Sequence, residues 1–281
     1  MSWVLLAVLG AFFGSIKNIL VKKVSGPLDL YTVALFTNIA LSTMLWIGVL
    51  LSGDFSVETP FWKLMLYMIP IEIVITLMFF KVFQDAALSS SFPFVAFMPF
   101  FVAIGSYFIL DETLSYILIA GVSLITFGAF LLHRVNTKDP HFVLHGALYM
   151  FIITAFWGYI IPTGKVAVTY SSPQLFPALY FTITTIVFLP IYLLKRKTPL
   201  KKIPPTTWTF VGVGVVFGIS QLLMWIAYSI GPTAGVAAVT LLSVLFTVIL
   251  GGSFFKEKDV FHKTLATILM LGGAAVIILI H

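Results

Sequence analysis

Apolar residues fill this chain in long runs, broken only by short clusters of Gly, Pro and charged residues. About 20 mainly apolar residues cross the hydrocarbon core of a bilayer. Ten runs reach or approach that length: 2–21, 28–52, 62–84, 86–110, 113–133, 142–168, 173–194, 207–230, 233–254 and 261–280. They are too long for barrel strands and do not alternate with a period of two, which disfavours a β-barrel. The predicted fold is therefore an all-α polytopic membrane protein with ten transmembrane helices. The longest breaks, 51–61, 134–141 and 195–206, leave no room for a soluble domain.

Composition sharpens this picture. The 281 residues are 60% hydrophobic and only 9% charged, whereas a soluble domain carries about 25% charged residues. Such a chain cannot cover a water-facing surface. Cysteine is absent, so disulfides and thiolate metal sites are excluded. The start, MSWVLLAVLG, lacks a positive leader region and reads as a first span rather than a cleavable signal.

The net charge of +6 lies in short loops between apolar runs, a pattern of membrane orientation and not of nucleic-acid binding. Every Lys and Arg except Lys63 and Lys165 follows or ends an odd-numbered span. The positive-inside rule places that basic side in the cytoplasm and both termini outside, in a multi-pass protein of the cell (inner) membrane.

The chain also repeats itself. "AFFGS" at Ala11–Ser15 matches "AFWGY" at Ala155–Tyr159, and the stretch around Glu112 and Gly128 matches that around Glu257 and Gly273. Gly14 precedes Glu112 by 98 residues, and Gly158 precedes Glu257 by 99. Two five-helix units follow, 1–135 and 142–281. Five is odd, so the second unit enters the membrane from the opposite face. Inverted repeats of this kind underlie many alternating-access transporters.

Gly14, Trp157-Gly158, Lys165, Pro27, Pro173 and Pro99, the last thirteen residues before Glu112, together resemble the EamA-like branch of the drug/metabolite transporter (DMT) superfamily. The resemblance covers nearly the whole chain. It implies a ten-helix bundle whose central cavity is lined by the first, third and fourth helices of each half, with the fifth and tenth peripheral. Phe36 and Tyr180 stand where the family often has an arginine, and Val244 stands where a second proline would match Pro99.

Glu72 is the principal candidate for chemistry. It sits near the middle of the third span with no Lys or Arg within a helical turn. A carboxylate at that depth is costly and marks function. It can pair with a cationic substrate or carry a coupling proton. The helix face through Glu72 runs on to Thr76, Phe79 or Phe80, and Phe83. The repeat maps Thr76, Phe80 and Phe83 onto Gln221, Trp225 and Tyr228. Matching polar and aromatic stripes suit a cavity wall. The expected substrate contacts are Glu72, Phe80, Trp157, Gln221, Trp225 and Tyr228, with Phe13 a further aromatic candidate. Aromatic faces attract cations, quaternary ammonium most of all.

Other polar residues receive structural readings. Lys17, Lys81 and Lys165 are expected to reach for the nearer interface. Glu112 and Glu257 are expected to cap the helices that follow them. Asn18, Asn38 and Ser89–Ser91 are expected to bond between helices. Pro162-Thr163-Gly164, Pro93 and Pro99 are expected to break or bend their helices, with freed carbonyls facing the cavity.

The function these features favour is a secondary transporter of a small polar or cationic metabolite, of the amine or choline type. An amino-acid or metabolite exporter of the same fold is the alternative. The partners are then a small molecule, the lipid bilayer and, through Glu72, a proton. No cofactor and no nucleic acid is expected. An intramembrane enzyme is disfavoured. His141 and His145 have no neighbouring glutamate to make a zinc-protease motif, and Gly218-Ile219-Ser220 lacks the second glycine of a nucleophile elbow.

Overall fold

The computed structural model describes residues 2–25, 28–85, 92–113, 115–132, 140–197, 207–252, 265, 268–273 and 276. The first half holds α1 (Trp3–Ser25), α2 (Leu30–Ser52) and α3 (Thr59–Asp85). A 3₁₀ turn at Phe92–Phe97 then runs into α4 (Met98–Leu110), and α5 (Tyr116–Leu132) follows. The second half holds α6 (Pro140–Thr169), α7 (Leu175–Lys195), α8 (Thr207–Ile230), α9 (Thr233–Thr240) and α10 (Leu242–Gly252). Residues 268–273 are helical too, and no strand occurs among the described residues.

Six helical segments are long and apolar enough to cross a membrane: Trp3–Val21, Leu30–Ser52, Thr59–Val82, Leu148–Thr169, Leu175–Lys195 and Thr207–Ile230. Shorter apolar helices cover Val95–Leu110, Tyr116–Gly128 and Thr233–Thr247. Much of the tenth expected span, 261–280, lies outside the described residues.

Local chemistry sets both ends of α2. The Asp29 carboxylate accepts from the Tyr31 and Thr32 amides and from the Thr32 hydroxyl at 3.0, 3.2 and 2.7 Å, capping α2. Gly53 ends the same helix at φ 70°, the left-handed cap that glycine adopts without strain.

The helix contacts show that the halves are inverted. Gly10 faces Met224, Gly14 faces Ser220, and Trp3 meets Gly231, so α1 and α8 run antiparallel. Ser220 Oγ donates to the Gly10 carbonyl at 2.8 Å across that seam. Gly158 packs on Phe101, and Gly105 packs on Gly158 and Pro162, so α4 and α6 run parallel. Since successive spans alternate, α6 opposes α1. The packing is pseudo-twofold as well. First helices pack on third helices (α1 on α8, α6 on α3), and second on second (α2 on α7). Fourth helices pack on first helices (α4 on α6, α9 and α10 on α1).

Both fourth helices are interrupted at matching places. The first changes from 3₁₀ to α at Phe97–Met98, the second breaks at Leu241 between α9 and α10. The Glu112–Glu257 correspondence carries Phe97 onto Leu242, one residue away. Pro99 at the start of α4 accounts for the first interruption. The second has no proline. There the Thr240 hydroxyl donates to the Val236 carbonyl at 2.9 Å, a bond that competes with the helical ladder.

Pro162-Thr163-Gly164, expected to break or bend its helix, does not break it, since α6 continues from Pro140 to Thr169. Proline lacks the N–H that would bond the Gly158 carbonyl. That oxygen does not turn to the cavity. It points at α4, where a β-carbon on Gly105 would stand 1.8 Å from it. Glycine at 105 therefore lets two backbones meet, a usual way for helices to pack in membranes.

Candidate functional site

A cavity of about 260 Å³ lies between the two halves. Its wall contains all six expected residues, Glu72, Phe80, Trp157, Gln221, Trp225 and Tyr228. Thr76 and Phe79 belong to it as well, so the matched stripes of α3 and α8 face each other across one space. Phe13 is not among the lining residues, and the Phe83 side chain lies outside the described ones. The interrupted fourth helices contribute Val95 and Met98 from one half and Thr240, Leu241 and Ser243 from the other. The second helices take part too, through Thr37, Asn38, Tyr180 and Phe181. Periodicity within the third helices does not reveal that contribution.

Glu72 stands thirteen residues from either end of α3, about 20 Å by the helical rise, which is mid-membrane depth. The Tyr180 hydroxyl donates to its Oε2 at 2.8 Å. Tyr180 occupies a position where an arginine would neutralise the acid. A tyrosine holds the carboxyl in place without supplying charge. Among the described residues no cation lies within ion-pair distance of Glu72.

An aromatic wall adjoins this pair. Phe176 stacks on Tyr180 with centroids 5.5 Å apart and meets Trp225 edge-on at 4.5 Å. Tyr228 lies 5.4 Å beyond Trp225. On the opposite side Trp157 contacts Phe79 at 6.1 Å. Trp225 depends on Gly164, since a β-carbon there would stand 2.4 Å from the indole Cη2. The Trp225 Nε1 hydrogen is buried without an acceptor, leaving a donor at the wall.

Lys17 departs from its expected place. It lines the cavity, with its ammonium over the rings of Phe79 at 5.6 Å and Phe217 at 4.7 Å. Two aromatic faces offer a long cation a nearer site than the interface. Asn38 also lines the cavity, and its amide nitrogen has no partner, contrary to the expected bond between helices. Lys81 is exposed, with its ammonium 5.5 Å from the Tyr149 ring.

Lys165 and Glu112 meet each other. Lys165 reaches toward the nearer end of its helix, where it finds protein partners. Its Nζ donates to Glu112 Oε1 and to the Gly231 carbonyl, both at 2.7 Å. Glu112 does not cap the helix that follows it. It accepts from the Thr233 amide at 3.0 Å and from the Thr233 hydroxyl at 2.7 Å, capping α9 of the other half. These contacts clamp the halves at the face that carries Trp3, away from Lys17. The acid's place in a turn reveals a cap but not which helix it caps. Glu257, Ser89–Ser91 and the His141 and His145 side chains lie outside the described residues. Among the described residues no group of His, Cys, Asp and Glu could hold a metal ion.

Comparison with known proteins agrees with this architecture. One solved structure, described only as the crystal structure of a protein, superposes with a TM-score of 0.83 at 15% identity, over 99% of this chain and 96% of that one. At that identity the likeness concerns the fold. No curated protein matches the chain. The model of the EamA-like transporter family matches residues 1–134 and again residues 144–279. With nearly its whole length so matched, and two inverted halves around a shared cavity, the chain belongs to the EamA-like transporter family of the DMT superfamily.

Proposed function

We propose that this chain is a secondary transporter that carries a small polar or cationic metabolite, such as an amine, by alternating access. The observation that carries the reading is Glu72, a mid-membrane carboxyl whose described partners are the neutral hydroxyls of Tyr180 and Thr76. A carboxylate without a counter-charge, beside the faces of Trp225, Tyr228, Phe80 and Trp157, offers a cation both ionic and aromatic attraction. Gln221 adds a polar contact. The same carboxyl can take a proton when no substrate is bound, which would couple substrate flux to a proton gradient.

Alternating access is supported by the inverted halves and by the matching interruptions of their fourth helices. Discontinuous helices at a repeat interface give backbone joints about which two halves can rearrange. In this reading the excess of basic residues puts the face carrying Ser25 in the cytoplasm, and the clamp of Lys165 on Glu112 then joins the halves on the outer side. The units 1–135 and 142–281 are the moving parts in this reading.

The test is a thermal-shift screen of the purified protein against amines, amino acids and sugars. Uptake of any hit into sealed vesicles, with and without a pH gradient, follows. The expected result is saturable flux of an unchanged cationic compound that depends on Glu72. Flux by Glu72→Gln equal to the wild type at every pH would refute the role of that residue.

A further inference from the structure

The cavity has a second polar region that its carboxyl does not explain. Lys17 and Glu72 are its only charged lining residues among those described. Lys17 stands eight residues before the end of α1, about 12 Å from that face by the helical rise. Thr37 stands seven residues into α2, which starts at the same face, at a depth of about 10 Å. Asn38 follows it. Three side chains from two helices thus share one level, nearer the Ser25 face than Glu72.

Their hydrogen-bonding state is unusual. Thr37 and Asn38 are 2% and 5% exposed, and both line the cavity. Neither Thr37 Oγ1 nor Asn38 Nδ2 has a partner. Buried polar groups are normally satisfied, and an orphan of this kind calls for a ligand or an ordered water. Lys17 is held by two aromatic rings, which attract its ammonium without cancelling its charge. No carboxylate lies within ion-pair distance of it among the described residues. An ammonium, an amide N–H and a hydroxyl together offer donors and positive charge.

We propose that Lys17, Thr37 and Asn38 form an oxyanion subsite that binds the carboxylate of the transported compound. The inference rests on reading this cavity as the transport site and deepens it. The substrate is bipolar, with its amine at Glu72 and its carboxylate at the donors of α1 and α2. A small inorganic anion travelling with a purely cationic substrate would satisfy the same chemistry.

The experiment uses the full chain and three matched probes: norvaline, which carries both groups, butylamine, which lacks the carboxylate, and pentanoate, which lacks the amine. Binding is read from the thermal-shift midpoint, first in chloride and then in gluconate. For the wild type, norvaline should bind at least about 10-fold more tightly than butylamine, the scale of a charge-assisted contact. Lys17→Met and Asn38→Leu should abolish that preference while leaving butylamine binding within twofold. Thr37→Val should weaken it. Glu72→Gln should do the reverse, reducing butylamine binding and sparing pentanoate.

A chloride requirement for butylamine binding that Lys17→Met removes would support the subsite and identify an inorganic anion as its occupant. Equal loss of all probes in Lys17→Met, or an undiminished preference for norvaline, would overturn the proposal. So would the absence, in the wild type, of any probe or anion effect that Lys17→Met removes. Loss of the norvaline preference in Lys17→Met, with no effect of Glu72→Gln on any probe, would refute the proposed role of Glu72 and leave the subsite standing.

Discussion

Lys165 Nζ and Glu112 Oε1 lie 2.7 Å apart and join the first helix of the second half to the turn after the fourth helix of the first half. The same carboxylate caps α9 through Thr233. The pair is partly exposed, so its direct stabilisation is modest, about 1 kcal/mol. Its position matters more than its strength. Lys165→Met should lower the midpoint of thermal unfolding by a few degrees. A double-mutant cycle with Glu112→Gln should give a coupling of about 1 kcal/mol. The wild-type chain has no cysteine, so single cysteines near Gly231 can report access from that face. Labelling there should rise several-fold in Lys165→Met.

Tyr180 and Glu72 provide the second test. Tyr180→Phe keeps the ring and its stacking on Phe176 but removes the 2.8 Å hydrogen bond. The loss of one hydrogen bond to a carboxyl should cost about 1–2 kcal/mol, hence roughly 5- to 30-fold in apparent substrate affinity. Tyr180→Arg supplies the missing counter-charge and should abolish transport of cations. The measurement is initial uptake rate against substrate concentration in vesicles.

Gly164 gives a steric test of the aromatic wall. Gly164→Ala places a carbon 2.4 Å from the Trp225 ring and should displace the indole. Substrate affinity should fall about 10-fold, by analogy with small overpacking costs of 1–3 kcal/mol. Tryptophan fluorescence should shift as the ring moves. A reduced ring in Trp225→Leu should restore tolerance of alanine at 164.

Gly105 tests the seam between α4 and α6. A side chain there would strike the Gly158 carbonyl, a backbone atom that cannot step aside. Gly105→Ala should destabilise the fold by about 2 kcal/mol or more, seen as a lower melting midpoint and a lower yield of monodisperse protein. Gly272→Ala meets nothing within 4 Å and should be neutral.

The opposed halves and the stripe from Glu72 to Phe80 were legible in the sequence because the hydrocarbon layer imposes simple rules. Length, apolarity and helical period determine which residues can share a face. Trp225 and Tyr228 followed from the repeat alone. The partners of charged residues were not legible. Lys17 sits at a depth where the interface and the cavity compete, and the rings of Phe79 and Phe217 decide it. Glu112 finds Thr233 more than a hundred residues away, a pairing that no local pattern encodes. The break at Leu241 lacks a proline, so nothing in composition marks it.

The lysine of the clamp has no counterpart in the first half. The correspondence of Gly14 with Gly158 puts Val21 where Lys165 stands, so the mirror position has no ammonium to offer. A carrier assembled from identical parts would spend equal time shut on either side. In a carrier that works by alternating access, a clamp on one face would tilt the empty form toward closure on that face. In such a carrier every opening toward that face, loaded or empty, would have to break the contact of Lys165 with Glu112.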